Sequence, residues 1–303
     1  MPLPKNIRDV VLAIENSVDA YGKGLEPIQR RLYRKLLAIT KDLSTDAEGN
    51  IKTTIANYKT ITKVKKTIKT ELSSDKYIGE VAKTQKYYAE VQALQSEYFV
   101  GMFAEFTTPK VLAELSKQAL STTVETLTES GINETLVKKV TDIVGSNIKA
   151  GRNFVDMQGE LETFIKGNKK VDGKLVSYSK QIINDSLSQY AGNYTQLVTD
   201  DLDLQWFGYV GGLVRDSRPL CTDLIHKKQY IHKSELPGIS HGRIDGKTHN
   251  EKGKSYKLGM IPGTDASNFI VRRGGYNCMH QLQPISAEFV PDEVRLRFET
   301  PTE

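Results

Sequence analysis

The sequence predicts a mainly α N-terminal region of long, bundle-like helices followed by a small α+β C-terminal domain. Within the first 200 residues only Pro27 and Pro109 interrupt beyond the N-terminal tip, and apolar residues recur at three- and four-residue steps, the spacing of one helix face. Past Asp200, Asp201 and Asp203 the composition changes: all five histidines, both cysteines and the single tryptophan, Trp206, lie there. Residues 205–214 also alternate around Trp206, Phe207, Tyr209 and Val210, as a strand does. At 303 residues the chain exceeds what one core usually organises, so a division into residues 1–200 and 201–303 is expected.

The elements follow in order. Val10, Val11, Ile14, Val18 and Tyr21 form one stripe and Ile28, Leu32, Leu36, Leu37 and Ile39 a second, so Gly22 and Gly24 between them predict the turn of an αα-hairpin. Residues 44–50 read as a polar turn. From there to about Phe106 a long, partly exposed helix is expected, with Tyr77, Val81, Tyr88, Val91, Leu94, Tyr98 and Met102 as its core stripe. Pro109 opens the next helix, Gly131 with Asn133 separates it from another, and residues 168–173 form a loop before a helix over about 178–199. In the C-terminal domain a long loop-rich centre spans 236–267, and renewed alternation through Val294, Leu296 and Phe298 predicts a strand over 289–298.

Charge is uneven. Residues 1–80 carry 15 Lys/Arg against 10 Asp/Glu, which accounts for the whole net charge of +5. Arg30, Arg31, Arg34 and Lys35, and then Lys63, Lys65, Lys66 and Lys69, recur at helical spacing, as a face for nucleic-acid phosphates would; a solvated helix face has the same pattern. No stretch approaches the roughly 20 apolar residues that span a bilayer, and the N-terminus lacks an apolar run, so a cytoplasmic, reduced setting without membrane partners is expected.

Two short motifs stand out. Pro219 pins its own φ and pushes Arg218 to extended geometry, so Arg215, Asp216 and Arg218 would bridge within one turn ahead of Cys221. Gly274 and Gly275 permit positive φ and deliver Tyr276, Asn277 and Cys278 as a second rigid corner, with His280 two residues on. Both corners would bring Cys221 and Cys278 together. If so, three outcomes are open: buried free thiols, a redox-formed crosslink, or zinc held by Cys221, Cys278 and His280 with one of His226, His232, His241 or His249.

The string from Tyr209 to Cys221 with its Arg218-Pro219-Leu-Cys221 turn, followed by Gly274-Gly275-Tyr276-Asn277-Cys278-Met279-His280, resembles the phage head-morphogenesis family, the Mu F-like minor head proteins. The recognisable part covers about residues 178–290. Where that family commonly continues Cys-Arg-His or Cys-His-Arg, this chain has Cys278-Met279-His280-Gln281. The resemblance implies a structural protein of a tailed-phage virion, present in several copies in the head interior or at the portal vertex. It would be assembled in the host cytoplasm, bind portal protein, major capsid protein or other head proteins, contact packaged double-stranded DNA non-specifically, and act in head morphogenesis, packaging or genome delivery without a required cofactor.

An enzymatic alternative is a helical delivery module carrying a small nuclease- or toxin-like C-terminal domain, with His241, His249 and Glu235 as the nominal acid–base groups. No Gly-Lys-Ser/Thr phosphate loop, His-Glu-x-x-His or Gly-x-Ser-x-Gly is present, so no catalytic residue is assigned. An intracellular DNA-binding protein unrelated to virions is a third class, and it lacks a helix-turn-helix or zinc-finger pattern to support it.

Overall fold

A computed structural model describes residues 4–168 and 171–298. The fold is mainly helical, with long helices over the first 200 residues and a small region of short strands after them.

Helix α1 (Asp9–Thr40) buries Val10, Val11, Ile14, Tyr21, Leu25, Ile28, Leu32 and Leu36. That i+3/i+4 series runs unbroken through Gly22 and Gly24, so the expected hairpin is instead one continuous helix. The glycines serve close approach. A Cβ at Gly24 would stand 2.2 Å from Glu80 Oε2, and one at Gly22 would stand 2.8 Å from the Lys180 chain. Pro27 is tolerated on the exposed side, where its missing N–H costs least.

The expected long helix to Phe106 is three helices: α2 (Ile55–Leu72), α3 (Asp75–Ala82) and α4 (Thr84–Met102). The breaks are made by small hydroxyl residues that compete for backbone groups. Ser73 donates to Lys69 O, the Ser74 hydroxyl caps α3 by accepting from Tyr77 N–H, and Thr84 donates to Val81 O. Of the expected stripe Tyr77, Val81, Tyr88, Val91 and Tyr98 are core, whereas Leu94 and Met102 are only half-buried. Next come α5 (Val111–Glu125), a π-helical turn (Thr126–Ser130), α6 (Ile132–Ala150), closed by Gly151 in left-handed geometry, and α7 (Phe154–Lys166). The short strands β1 (Gly167–Asn168) and β2 (Val171–Asp172) pair before α8 (Lys174–Asp201).

Two compact units are present, and they do not part at residue 200. One comprises Ser17–Gln85 and Leu120–Ile183; in it α2 lies along α6, and Val64 and Ile68 of α2 are fully buried. The other comprises Met1–Asn16, Lys86–Ala119 and Asn184–Glu303. In this second unit Phe99 stacks on Tyr194 at 5.8 Å and Tyr88 lies 5.1 Å from Tyr190. Its antiparallel sheet has the order β4 (Tyr230–His232), β3 (Trp206–Gly211), β5 (His280–Ile285). Around β3 gather α9 (Pro219–Lys227), α10 (Leu236–Ser240) and α11 (Phe269–Arg272), with a loop-rich stretch between the last two.

Residues 289–298 are not a strand. Pro291 followed by Asp292 and Glu293 starts a one-turn helix, α12 (Asp292–Arg295), since acidic groups suit a helix N-terminus. Phe298 then packs edge-on to Trp206 at 5.3 Å and stacks on His232 at 4.6 Å. The third strand is β5, whose Pro284 takes an edge position, with the Tyr98 hydroxyl donating to its carbonyl at 2.6 Å. Among the described residues no helix is long and apolar enough to cross a membrane.

Candidate functional site

The two corners converge. Pro219 is the first residue of α9 and Arg218 its extended N-cap, which turns Cys221 inward on the first turn of that helix. The second corner starts just after α11 at its C-cap Arg273, with φ +43°, and continues through Gly275 at φ +109° and Asn277 at φ +55°. Gly275 must be glycine on two counts, its φ and a Cβ that would fall 2.0 Å from Gly259 O.

Arg218 does not stay within its own turn as expected. Its guanidinium reaches the second corner and donates to Tyr276 O at 2.6 Å, while Asn277 N–H donates to the Asp185 carboxylate on α8. Cys221 Sγ and Cys278 Sγ lie 4.0 Å apart, and Cys278 Sγ is 3.6 Å from His280 Nδ1. The donor atoms of these three side chains all fall within 4.8 Å of one another, and each residue is at most 3% exposed. Gly274 sits against the pair: a Cβ there would lie 2.5 Å from Cys221 Sγ and 3.2 Å from Cys278 Sγ.

Tyr209, in the middle of β3, completes the cluster. Its hydroxyl donates to Cys221 Sγ at 3.3 Å and lies 3.9 Å from Cys278 Sγ, and its ring stacks on the His280 imidazole at 5.3 Å and 11°. The hydrogen bond between the sulfurs splits their acidities. It pushes the Cys221 thiol well up, with burial adding to the effect, and pulls Cys278 down, helped by His280 and Arg273. Burial, then the two sulfurs, hold the Tyr209 hydroxyl far above its ordinary value. Arg273 is only 2% exposed and donates to Ser188 O, Ile270 O and Gln281 Oε1.

No second histidine joins the centre among the described residues. His232 is taken up by Trp206 and Phe298, His241 Nδ1 pairs with Pro237 O, His249 Nδ1 pairs with the Thr248 hydroxyl, and His226 lines a cavity of about 590 Å³ with Arg215, Arg218, Lys252 and Lys254. Glu235 holds Lys228 and caps its own turn, so the nominal acid–base trio is committed to separate local structures.

The basic face is also divided. Arg31 Nε and Lys35 Nζ bind the two oxygens of Glu71 at 2.6 and 2.8 Å, and the Glu71 side chain is fully buried. Those two cations share one carboxylate, so Glu71 fixes their positions while the trio keeps a net positive charge. Arg30 pairs at the surface with Glu26, while Arg34 is exposed. Lys59, Lys63, Lys65, Lys66 and Lys69 of α2 are all exposed, and the one acid of that helix is Glu71.

Sequence reasoning reached both cysteines and His280 but missed Tyr209 as the lid over the sulfurs, Arg273 beside them, and Asp185 as the anchor of Asn277. In the sequence Tyr209 reads as a strand aromatic and as the start of the string that carries the resemblance, neither of which places it over the sulfurs, and no pattern in the chain marks Asp185. No family model, curated protein or solved structure matches the chain.

Proposed function

We propose that this chain is a minor structural protein of a tailed-phage virion, lying in the head interior or at the portal vertex, and working by binding rather than turnover. The observation that carries the reading is the sealed centre formed by the two motifs that resemble Mu F-like minor head proteins. Its thiols, imidazole and phenol are each at most 3% exposed, so they fasten a fold and meet no substrate. Partners are portal protein, major capsid protein or other head proteins. Packaged double-stranded DNA is contacted non-specifically through the exposed lysines of α2, together with Arg34 and Arg30. The test is mass spectrometry of purified particles before and after DNA ejection. The expected result is a few copies per full particle; retention afterwards assigns the protein to the shell or portal and loss marks it as delivered with the genome. Absence from particles removes the reading.

The nuclease-like alternative rests on one feature, the cavity of about 590 Å³ lined by Arg215, Arg218, His226, Lys252 and Lys254. Cleavage of labelled RNA or DNA by the purified chain, abolished by His226→Ala, would establish it in place of the structural role.

A further inference from the structure

Two thiols and an imidazole placed together in an apolar interior are soft and borderline donors of the kind that select zinc. In a tetrahedral zinc site with Zn–S of about 2.3 Å and Zn–N of about 2.0 Å, neighbouring apices stand roughly 3.8 Å apart for two sulfurs and roughly 3.5 Å for sulfur and nitrogen. The observed separations are 4.0 Å between Cys221 Sγ and Cys278 Sγ and 3.6 Å between Cys278 Sγ and His280 Nδ1. A disulfide needs its sulfurs at about 2.05 Å, close to half the spacing found. The three donor atoms all lie within 4.8 Å of one another, and the Tyr209 oxygen stands beside them, 3.3 and 3.9 Å from the two sulfurs.

We infer that Cys221, Cys278 and His280, with the Tyr209 hydroxyl as fourth donor, form a structural zinc site that fastens the two corners to strands β3 and β5. Binding Zn²⁺ releases the two thiol protons to solvent, so two thiolates balance the ion and no net charge is added to the interior. The four side chains are at most 3% exposed, so the metal is shut away from substrate and its role is to hold structure. Gly274 keeps the space beside both sulfurs clear of a side chain. The site rests on its own geometry and does not depend on the virion reading.

The experiment uses the full chain, purified under reducing conditions without chelator. Elemental analysis should give one zinc per chain. Cobalt(II) exchanged into the protein should show the intense visible bands of tetrahedral coordination with a thiolate-to-cobalt charge-transfer band, weakened in Cys221→Ser and in Cys278→Ser. Tyr209→Phe should shift the visible bands, and His280→Gln should lower zinc affinity by more than the roughly 10–100-fold that a supporting second-shell group contributes. Should a cysteine variant fail to fold, the native chain still decides: chelator should lower its melting temperature and added zinc should restore it. A metal-free chain with chelator-independent melting overturns the inference. So does octahedral cobalt, cobalt bands that survive the double cysteine variant, or a Cys221–Cys278 disulfide detected as the loss of two hydrogens in mass.

Discussion

The two units are held in different ways. In the unit containing α2 and α6, the contacts repeat: aliphatic residues at helical spacing fill the core, and the buried charge, Glu71, is answered by two cations from one neighbouring helix. The unit containing the sheet also holds long helical stretches of α4 and α8, but around the sheet it packs loops and short helices that carry no repeat. It depends on single atoms: a sulfur against a glycine, a guanidinium on a carbonyl, an amide on a carboxylate. A region built on periodicity spreads its stability over many interchangeable contacts, whereas one built on corners concentrates it in positions that accept no substitute.

The sharpest way to break this contrast is Gly275→Ala. Positive φ and a Cβ driven into Gly259 O should together cost about 3 kcal/mol or more in chemical denaturation. A loss below about 1 kcal/mol would mean the corner yields easily and the contrast is overdrawn. Cys278→Ser should follow at about 1–3 kcal/mol in the metal-free chain, from an imperfectly paired buried hydroxyl. Equal stability of the variant and the parent would count against a tightly packed centre.

In the helical unit, Glu71→Gln should cost about 1–2 kcal/mol, because Arg31 and Lys35 lose their counter-charge but remain partly solvated. This loss has a pH signature. Burial pushes the Glu71 carboxyl up, but the hydrogen bonds and charges of Arg31 and Lys35 outweigh it and hold the acid below its ordinary 4.5. A depressed carboxylate stabilises the fold above its unfolded value and stops doing so as pH falls through the folded one. The difference between parent and Glu71→Gln should therefore be constant near neutrality and shrink below about pH 4.5. A difference that grows on acidification would reverse the assignment. The smallest effect is expected from Arg30→Glu with Arg34→Glu: stability within about 0.5 kcal/mol. Salt-dependent retention on DNA should nevertheless weaken, and more so when Lys63 and Lys66 are reversed as well. Unchanged retention after all four reversals would take DNA off this face.

The helical stripes were legible because burial at a fixed spacing leaves a periodic trace, and β3 because aromatic residues fill both of its faces. Gly22 and Gly24 misled because a glycine that turns a chain and a glycine that admits a neighbour are the same letter. β5 was hidden because Gln281, Gln283 and Pro284 read as polar and strand-breaking, although all three are buried. The pairing of Arg31 and Lys35 with Glu71 leaves no local trace because the partner lies 36 to 40 residues away. At the centre, the pairing of corners followed from proline and glycine stereochemistry. The contribution of Tyr209 depended on strand register, which no local pattern encodes.

Strand β5 forms one margin of the three-stranded sheet, and Pro284 stands on it without a donor while Tyr98 occupies its carbonyl. The margin thus lacks the alternating pair of groups through which a strand from another molecule would dock. At that point the sheet is self-terminating: a strand from another molecule would meet no free donor and an occupied acceptor at Pro284.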